Sequence, residues 1–163
     1  MRAVKTVGIQ YAALPYRQEG RRVRILLITS RQTKRWIIPK GWPIDGLTPR
    51  EAAATEAAEE AGINGQVEPK PIGSYRYLKR LKREQTAAVQ VIVFAFRVEG
   101  QGETWKERDQ RVLQWFDYRQ AAGRVAEPSL RRLIREFGET LAPSFLQRRL
   151  RQYRAWRFGA PAH

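Results

Sequence analysis

The sequence has no cysteine and a single histidine, His163, at the last of its 163 positions. Disulfide bonds, thiolate nucleophiles and cysteine metal sites are therefore excluded, which fits a reducing compartment. An imidazole at a chain end, where segments fray, is poorly placed for catalysis. A metal ion bound by this protein would have to be held by oxygen ligands.

Acidic residues are scarce, since 16 Asp and Glu stand against 31 Lys and Arg and leave a net charge of +15. Such an excess attracts polyanions, including phosphorylated small molecules, nucleic acid and anionic lipid. The sign of the charge does not choose among these partners, and solvated surface arginines without a binding role produce the same composition.

The chain also lacks an apolar run long enough to cross a membrane. Residues 1–22 end in arginines and have no small-residue cleavage site, unlike a secretory signal. We therefore expect a cytoplasmic protein without a membrane span. Hydrophobic residues make up 42% of the chain, which is enough for the core of one domain.

Strand-like and helix-like patterns alternate along the chain. β-branched and aromatic residues mark the strands, and apolar residues at Leu130, Leu133, Ile134 and Phe137 have helical spacing. Strands are predicted at 7–17, 22–30, 35–40, 74–80, 87–98 and 111–118, with a turn near 82–84, and helical structure at 119–141. This mixture predicts an α/β sandwich around a mixed sheet.

Residues 144–163 form a distinct basic segment whose aromatic and leucine side chains have helical spacing. We predict a main domain over 1–143 and a basic helical extension of that domain over 144–163. The extension either packs on the domain through its aromatic residues or presents a basic surface to an anion such as RNA. No pattern defines an oligomeric state.

An alanine-rich stretch from Thr48 to Gly62 carries the start and stop signals of a helix. Thr48 is a suitable N-cap, Pro49 suits the first helical position, and Glu51 completes a capping box. Gly62 supplies the left-handed residue that commonly ends a helix. The alanines combine high helix propensity with little bulk, so this helix is expected to lie close to a sheet.

Glu56, Glu59 and Glu60 project from one side of this helix because they are three and four residues apart. Like charges at these spacings repel, and no Lys or Arg lies between Arg50 and Lys70 to offset them. Hard cations such as Mg²⁺ or Mn²⁺ bind carboxylate oxygens and would remove the repulsion. The pattern therefore favours a metal site over a solvated acidic face.

The segment 41–63 resembles the Nudix box, G-x5-E-x7-R-E-U-x-E-E-x-G-U, in which U is aliphatic. The matching residues are Gly41, Glu56, Glu59, Glu60, Gly62 and Ile63, and Ala57 approximates an aliphatic position. Leu47 replaces the first glutamate and Thr55 the arginine. In the family these two form a structural pair that braces the loop against the helix, and losing both leaves no unpaired charge.

The flanking sequences "RWIIPKGW" and "RVLQWFDYRQA" are similar to family members that act on diadenosine polyphosphates and diphosphoinositol polyphosphates. The resemblance implies a Nudix-type α/β/α sandwich and a Mg²⁺-dependent pyrophosphohydrolase, with Mn²⁺ as an alternative ion. The implied metal ligands are Gly41, through its backbone, Glu56, Glu59 and Glu60. The implied catalytic residues are Glu59 and Glu60, with Glu107 and Asp109 as alternative general bases.

Basic residues near the box predict where substrate phosphates bind. The candidates are Arg31, Lys40 and Lys79, the last in a basic run over 76–83, and Trp42, Tyr75 and Tyr77 are candidates for stacking on a base. This charge favours a phosphorylated small molecule with several phosphates. Two other functions stay open: hydrolysis of RNA 5′ ends and binding of polyanions without catalysis.

Overall fold

A mixed β-sheet forms the centre of the protein, whose computed structural model describes residues 6–81 and 86–142. In these ranges the strands are β1 (Thr6–Glu19), β2 (Arg22–Thr29), β3 (Trp36–Ile37), β4 (Lys40–Gly41), β5 (Ile63–Val67), β6 (Gly73–Arg80), β7 (Thr86–Gln101) and β8 (Leu113–Asp117). The helices are α1 (Pro49–Ala61), α2 (Tyr118–Arg124) and α3 (Pro128–Leu141), with a 3-10 turn at Arg108–Gln110. None of these helices has the length and apolar character needed to cross a bilayer.

The parallel pair β1 and β7 runs through the middle of the sheet, and the other strand pairs are antiparallel. The neighbour of β1 changes along its length, because β4 pairs with Tyr11 and Ala12 whereas β2 pairs with 16–19. The sheet continues from β2 to β3 and β8, and from β7 to β5 and β6. β4 therefore enters beside β1 and leads directly into the loop before α1.

Apolar side chains cover both faces of the sheet, since alternate strand residues point to opposite sides. On one face Leu14 packs in a core with Leu130 and Ile134 of α3. On the other face Leu26 packs in a second core with Ala57 of α1. The helices thus lie on both sides of a mixed sheet, and the predicted α/β/α sandwich is confirmed.

The predicted strands are present with shifted ends, and the segment 35–40 contains β3 and the start of β4. The helical pattern of 119–141 corresponds to α2 and α3, although the first turn of α2 begins one residue earlier. β5 was not predicted, because "INGQV" is mostly polar and exposed and becomes a strand only by pairing with β7. The turn near 82–84 and the extension over 144–163 lie outside the described residues.

Leu14→Ala is expected to destabilise the fold by about 2–5 kcal/mol, because Leu14 is fully buried in β1 and its truncation leaves a cavity. The control is Ile9→Ala on the same strand, where the side chain is 40% exposed. The Ile9→Ala truncation should lower the free energy of unfolding by less than about 1 kcal/mol. Urea unfolding of both variants measures the two losses, and equal losses would contradict the assigned core.

Candidate active site

α1 is fixed at both ends by the contacts that its sequence predicts. The Glu51 carboxylate accepts hydrogen bonds from the backbone N–H and the hydroxyl of Thr48, both at 2.7 Å. Gly62 has a left-handed φ of 66°, and a side chain there would overlap the ring of Trp105. Buried alanines bring the helix close to the sheet. The glutamates are therefore carried on a helix with a defined position beside β4.

Gly41 of β4 and Glu56 of α1 are in direct contact. A Cβ atom at Gly41 would overlap the Glu56 carboxylate, so any side chain at this position would force the Glu56 side chain to move. Burial raises the pKa of the Glu56 carboxyl above its ordinary value, and the neighbouring Glu59 and Glu107 carboxylates raise it further. Two of the four predicted metal-ligating residues are thus side by side in a crowded acidic environment.

Glu60 is the most buried of the three glutamates, with 7% of its surface exposed. Its Oε2 accepts a hydrogen bond from the backbone N–H of Lys40 at 3.1 Å, and its Oε1 pairs with Arg111. Burial raises the pKa of Glu60 to about 7, although the Arg111 guanidinium and the Lys40 ammonium both favour the ionised form. Glu60 therefore ties α1 to β4 through a carboxyl that titrates near neutrality.

Glu59 lies at the surface, with a side chain 39% exposed, and forms an ion pair with Lys106 at 2.8 Å. Its backbone carbonyl accepts a hydrogen bond from the N–H of Glu107 at 3.0 Å. No Lys or Arg lies between Arg50 and Lys70, but basic residues from a distant segment do offset the acidic side of α1. Lys106 and Arg111 reach Glu59 and Glu60 from 47 and 51 positions along the chain.

Arg111 forms the centre of this charge network and was not predicted. Its Nη1 donates to the Thr29 carbonyl at 2.9 Å, its Nε donates to Glu107 Oε2 at 2.7 Å, and its Nη2 pairs with Glu60. Arg31 approaches the other Glu107 oxygen at 3.3 Å. Arg111 is one of 31 basic residues in the sequence, so no local pattern distinguishes it.

The donor chemistry of the three glutamates fits a hard divalent cation. The available donors are carboxylate and backbone oxygens, which Mg²⁺ and Mn²⁺ prefer as ligands. Burial and repulsion from neighbouring carboxylates raise the pKa of Glu56 and of Glu60, and a bound cation would relieve this repulsion. Across residues 6–81 and 86–142, no three acidic or histidine side chains are close enough together to hold an ion. Lys106 and Arg111 neutralise Glu59 and Glu60 instead, and ion binding would require Glu59 to leave Lys106.

A cleft of about 1020 Å³ opens beside Glu60. All three residues predicted to bind substrate phosphates line it, together with further basic residues and one more acid. The charged lining residues are Arg31, Arg35, Lys40, Lys79, Arg80, Arg111, Glu60 and Glu127. The structure therefore joins a basic cleft to the acidic side of α1.

Aromatic rings hold two of the cleft lysines. Lys40 Nζ lies 5.1 Å from the ring centre of Tyr77, and Lys79 Nζ lies 4.8 Å from that of Trp42. The Tyr77 hydroxyl donates to Gln10 at 2.7 Å, which orients the ring. Burial lowers the pKa of the Lys40 ammonium, and nearby carboxylates oppose this shift.

The predicted stacking residues differ in their access to a ligand. Trp42 is 42% exposed next to Gly41, and the half-buried Tyr77 lines the cleft. Tyr75 is 3% exposed and belongs to the core, so it is not available for stacking.

The positions that depart from the box pattern form no bridge between the loop and the helix. Leu47 is 41% exposed, and the Thr55 hydroxyl donates to the Glu51 carbonyl within α1 at 2.9 Å. Asp109, an alternative general base, is exposed on the 3-10 turn. In the described residues, α1 is therefore fixed by its caps, its alanine packing and the Arg111 network.

This combination of fold and glutamate helix agrees with known proteins. The profile of the NUDIX domain matches residues 8–137. The chain belongs to the Nudix family. Nudix hydrolase 12, mitochondrial, of Arabidopsis thaliana is 28% identical over 119 residues, covering 71% of this chain and 59% of that protein. The chain spans about three fifths of the length of the first curated Nudix relatives that it matches.

Solved structures share the Nudix fold. A binary complex of Caenorhabditis elegans Ap4A hydrolase has a TM-score of 0.61 at 19% identity, covering 82% of this chain and 97% of that one. The Escherichia coli dihydroneopterin triphosphate pyrophosphohydrolase has a TM-score of 0.60 at 17% identity, covering 85% and 99%. At these identities the likeness shows the fold alone. Nudix hydrolases generally use divalent metal ions, in agreement with the donor chemistry of α1.

Metal binding to this Nudix domain is expected to weaken at acidic pH. Because the pKa of Glu60 is about 7 in the metal-free protein, a proton occupies it below neutrality and must leave when a dication binds. The apparent Mg²⁺ affinity should rise about tenfold from pH 6 to pH 8. Calorimetry in buffers of different ionisation enthalpy measures both the affinity and the released proton. The control Glu139→Gln, which changes an exposed residue, should show the same pH dependence as the wild type. If no proton were released on Mg²⁺ binding, the prediction would be wrong.

The metal-free protein is also expected to lose stability as the pH rises from 5 to 8. A carboxyl whose pKa is raised by folding stabilises the folded state below its unfolded pKa, and this contribution is lost as the pH passes about 7. Thermal unfolding in EDTA should therefore give a lower Tm at pH 8, and Mg²⁺ should restore it. Glu60→Gln should flatten the metal-free pH profile, whereas an unchanged slope in that variant would assign the effect to other groups.

Proposed function

We propose that the protein is a Mg²⁺-dependent Nudix hydrolase that cleaves a diphosphate linkage in a polyphosphorylated small molecule. The substrates that best fit are diadenosine polyphosphates and diphosphoinositol polyphosphates. The observation that carries this proposal is the junction between the acidic side of α1 and the basic cleft, with Glu60 and Lys40 in contact at the boundary. We also propose that the protein acts in the cytoplasm, although curated relatives include proteins named as mitochondrial and chloroplastic.

The basic residues of the cleft bind the substrate and hold it in place. Arg31, Lys40 and Lys79 donate charge-assisted hydrogen bonds to the phosphates. Lys40 directly precedes Gly41 in β4, and its backbone N–H contacts Glu60. The bound diphosphate therefore lies next to the acidic side of α1.

The acidic residues provide cation binding and proton transfer. Gly41, Glu56, Glu59 and Glu60 are the residues that would hold a divalent cation, which when bound would neutralise charge and lower the pKa of a nearby water. The Glu59 side chain is 39% exposed, so its carboxylate is accessible to a water, and we assign it as the acceptor of the proton of the attacking water. The water oxygen forms a new bond to phosphorus while the bridging P–O bond breaks, and the leaving phosphate keeps the electron pair of the broken bond.

Several phosphates are favoured over a single diphosphate because positive charge extends along the cleft. Lys79 and Arg80 lie on β6, and Arg31 and Arg35 lie on the loop after β2, so the two groups line different walls. Trp42 is exposed beside β6 and is available to stack on a base. A panel of dinucleoside polyphosphates, inositol pyrophosphates and 5′-triphosphorylated RNA, assayed with Mg²⁺, tests the substrate class.

Glu59→Gln is expected to lower kcat at least about 100-fold, because the amide neither accepts the proton nor binds the cation well. Phosphate release from the best substrate of the panel measures this loss. Glu139→Gln removes an exposed carboxylate on α3 and should retain wild-type turnover. If the wild-type protein and Glu59→Gln were equally inactive on the whole panel while a polyanion still bound, the enzymatic proposal would be wrong.

Lys79→Gln is expected to raise KM for a polyphosphate about tenfold, because it removes a charged donor from the cleft wall. Lys70→Gln removes an exposed lysine outside the cleft lining and should leave KM within about twofold. Steady-state kinetics at two salt concentrations measures both variants. If Lys79→Gln and Lys70→Gln had equal KM values, the substrate phosphates would not bind beside Lys79 on β6.

A further inference from the structure

Arg111 contacts three separate parts of the chain, although the proposed mechanism gives it no role. Its guanidinium contacts the Thr29 carbonyl at the end of β2, the Glu107 carboxylate in the loop before the 3-10 turn, and Glu60 on α1. The side chain is 5% exposed, and the Glu60 side chain is 9% exposed. Solvent and salt therefore screen this pair much less than a surface ion pair.

We propose that Arg111 is a positioning residue that fixes Glu60, and with it the acidic side of α1, relative to β4 and the cleft. This inference rests on the proposed function. Arginine suits the role because its planar guanidinium offers five N–H donors in fixed directions, and here three different nitrogens serve three partners. Lysine has a single ammonium on a flexible stem and cannot hold the same three partners in one plane.

Each oxygen of Glu60 is oriented by a different contact. Arg111 holds Oε1, and the backbone N–H of Lys40 holds Oε2 at 3.1 Å. An ionised carboxylate has about four acceptor sites, so both oxygens keep capacity for a cation after these contacts. Groups that orient a metal ligand without touching the ion commonly change metal affinity or activity by about 10–100-fold. Arg111 has the geometry of such a group.

The Glu107 contacts extend the same support to Glu59. Glu107 accepts a hydrogen bond from Arg111 at 2.7 Å and forms an ion pair with Arg31 at 3.3 Å, and its N–H donates to the Glu59 carbonyl at 3.0 Å. Arg111 therefore holds the loop that lies along the last turn of α1 as well as the helix itself. Arg111 therefore supports both glutamates proposed for catalysis: it contacts Glu60 directly and Glu59 through Glu107.

The test compares Arg111→Met and Arg111→Lys with the control Arg97→Met, in which the arginine is 55% exposed in a surface ion pair. The first measurement is Mn²⁺ binding to the substrate-free protein, and the second is kcat and KM on the best panel substrate. Arg111→Met should weaken Mn²⁺ binding at least about tenfold and lower kcat more than it raises KM. Arg111→Lys should recover only part of the loss, and Arg97→Met should match the wild type.

Unchanged Mn²⁺ affinity in folded Arg111→Met, or tighter binding, would overturn the inference, since the arginine would then be only structural or a competitor of the ion. If Arg111→Met does not fold, Glu107→Gln weakens one contact of Arg111 with little change in volume. That variant should weaken Mn²⁺ binding, and wild-type affinity in it would also overturn the inference. A wild-type protein that binds Mn²⁺ but cleaves no panel substrate would refute the proposed function and leave the Mn²⁺ comparison intact.

Discussion

Repulsion among three carboxylates on one side of a short helix is the constraint on which the rest of the site depends. Glu56, Glu59 and Glu60 cannot be ionised together without nearby positive charge, and burial adds to the cost for Glu56 and Glu60. The fold meets this constraint with Lys106 and Arg111, which come from a distant segment. The loop after β7, folded against α1, therefore offsets part of this repulsion.

The same contacts connect the acidic side of α1 to the basic cleft. Glu60 bonds to the backbone of Lys40, and the Lys40 side chain turns into the cleft beside Tyr77. Arg111 reaches both Glu60 and the end of β2, after which Arg31 begins the opposite wall. Acidic and basic groups are thus neighbours at one boundary, which is the arrangement that the proposed hydrolysis of a diphosphate would need.

Local sequence signals were sufficient for the ends of α1 and for the side from which its glutamates project. Local signals could not predict that Lys106 and Arg111 pair with these glutamates, because both residues are far from α1 in the sequence. The pairing forms only where the folded chain brings the segment between β7 and β8 against α1. β5 has a polar sequence and becomes a strand because β7 offers it an edge, so pairing overrides low strand propensity. Tyr75 is a stacking candidate by residue type alone, and its ring lies in the core. Alternation predicts which residues share a face, and only the fold decides which face is covered.

Desolvation, more than the total charge, distinguishes the cleft from the remaining basic surface. An exposed cation such as Arg132, with 75% of its side chain accessible, gains little from an anion because water screens both. Lys40 has lost much of its hydration, which lowers its pKa, while Glu60 and Glu127 favour its charged form. A phosphate that replaces the missing water gains more from Lys40 than from a surface arginine. The acids beside Lys40 oppose an entering anion, so a dication held by Glu60, as proposed, would lower the free-energy cost of binding a diphosphate.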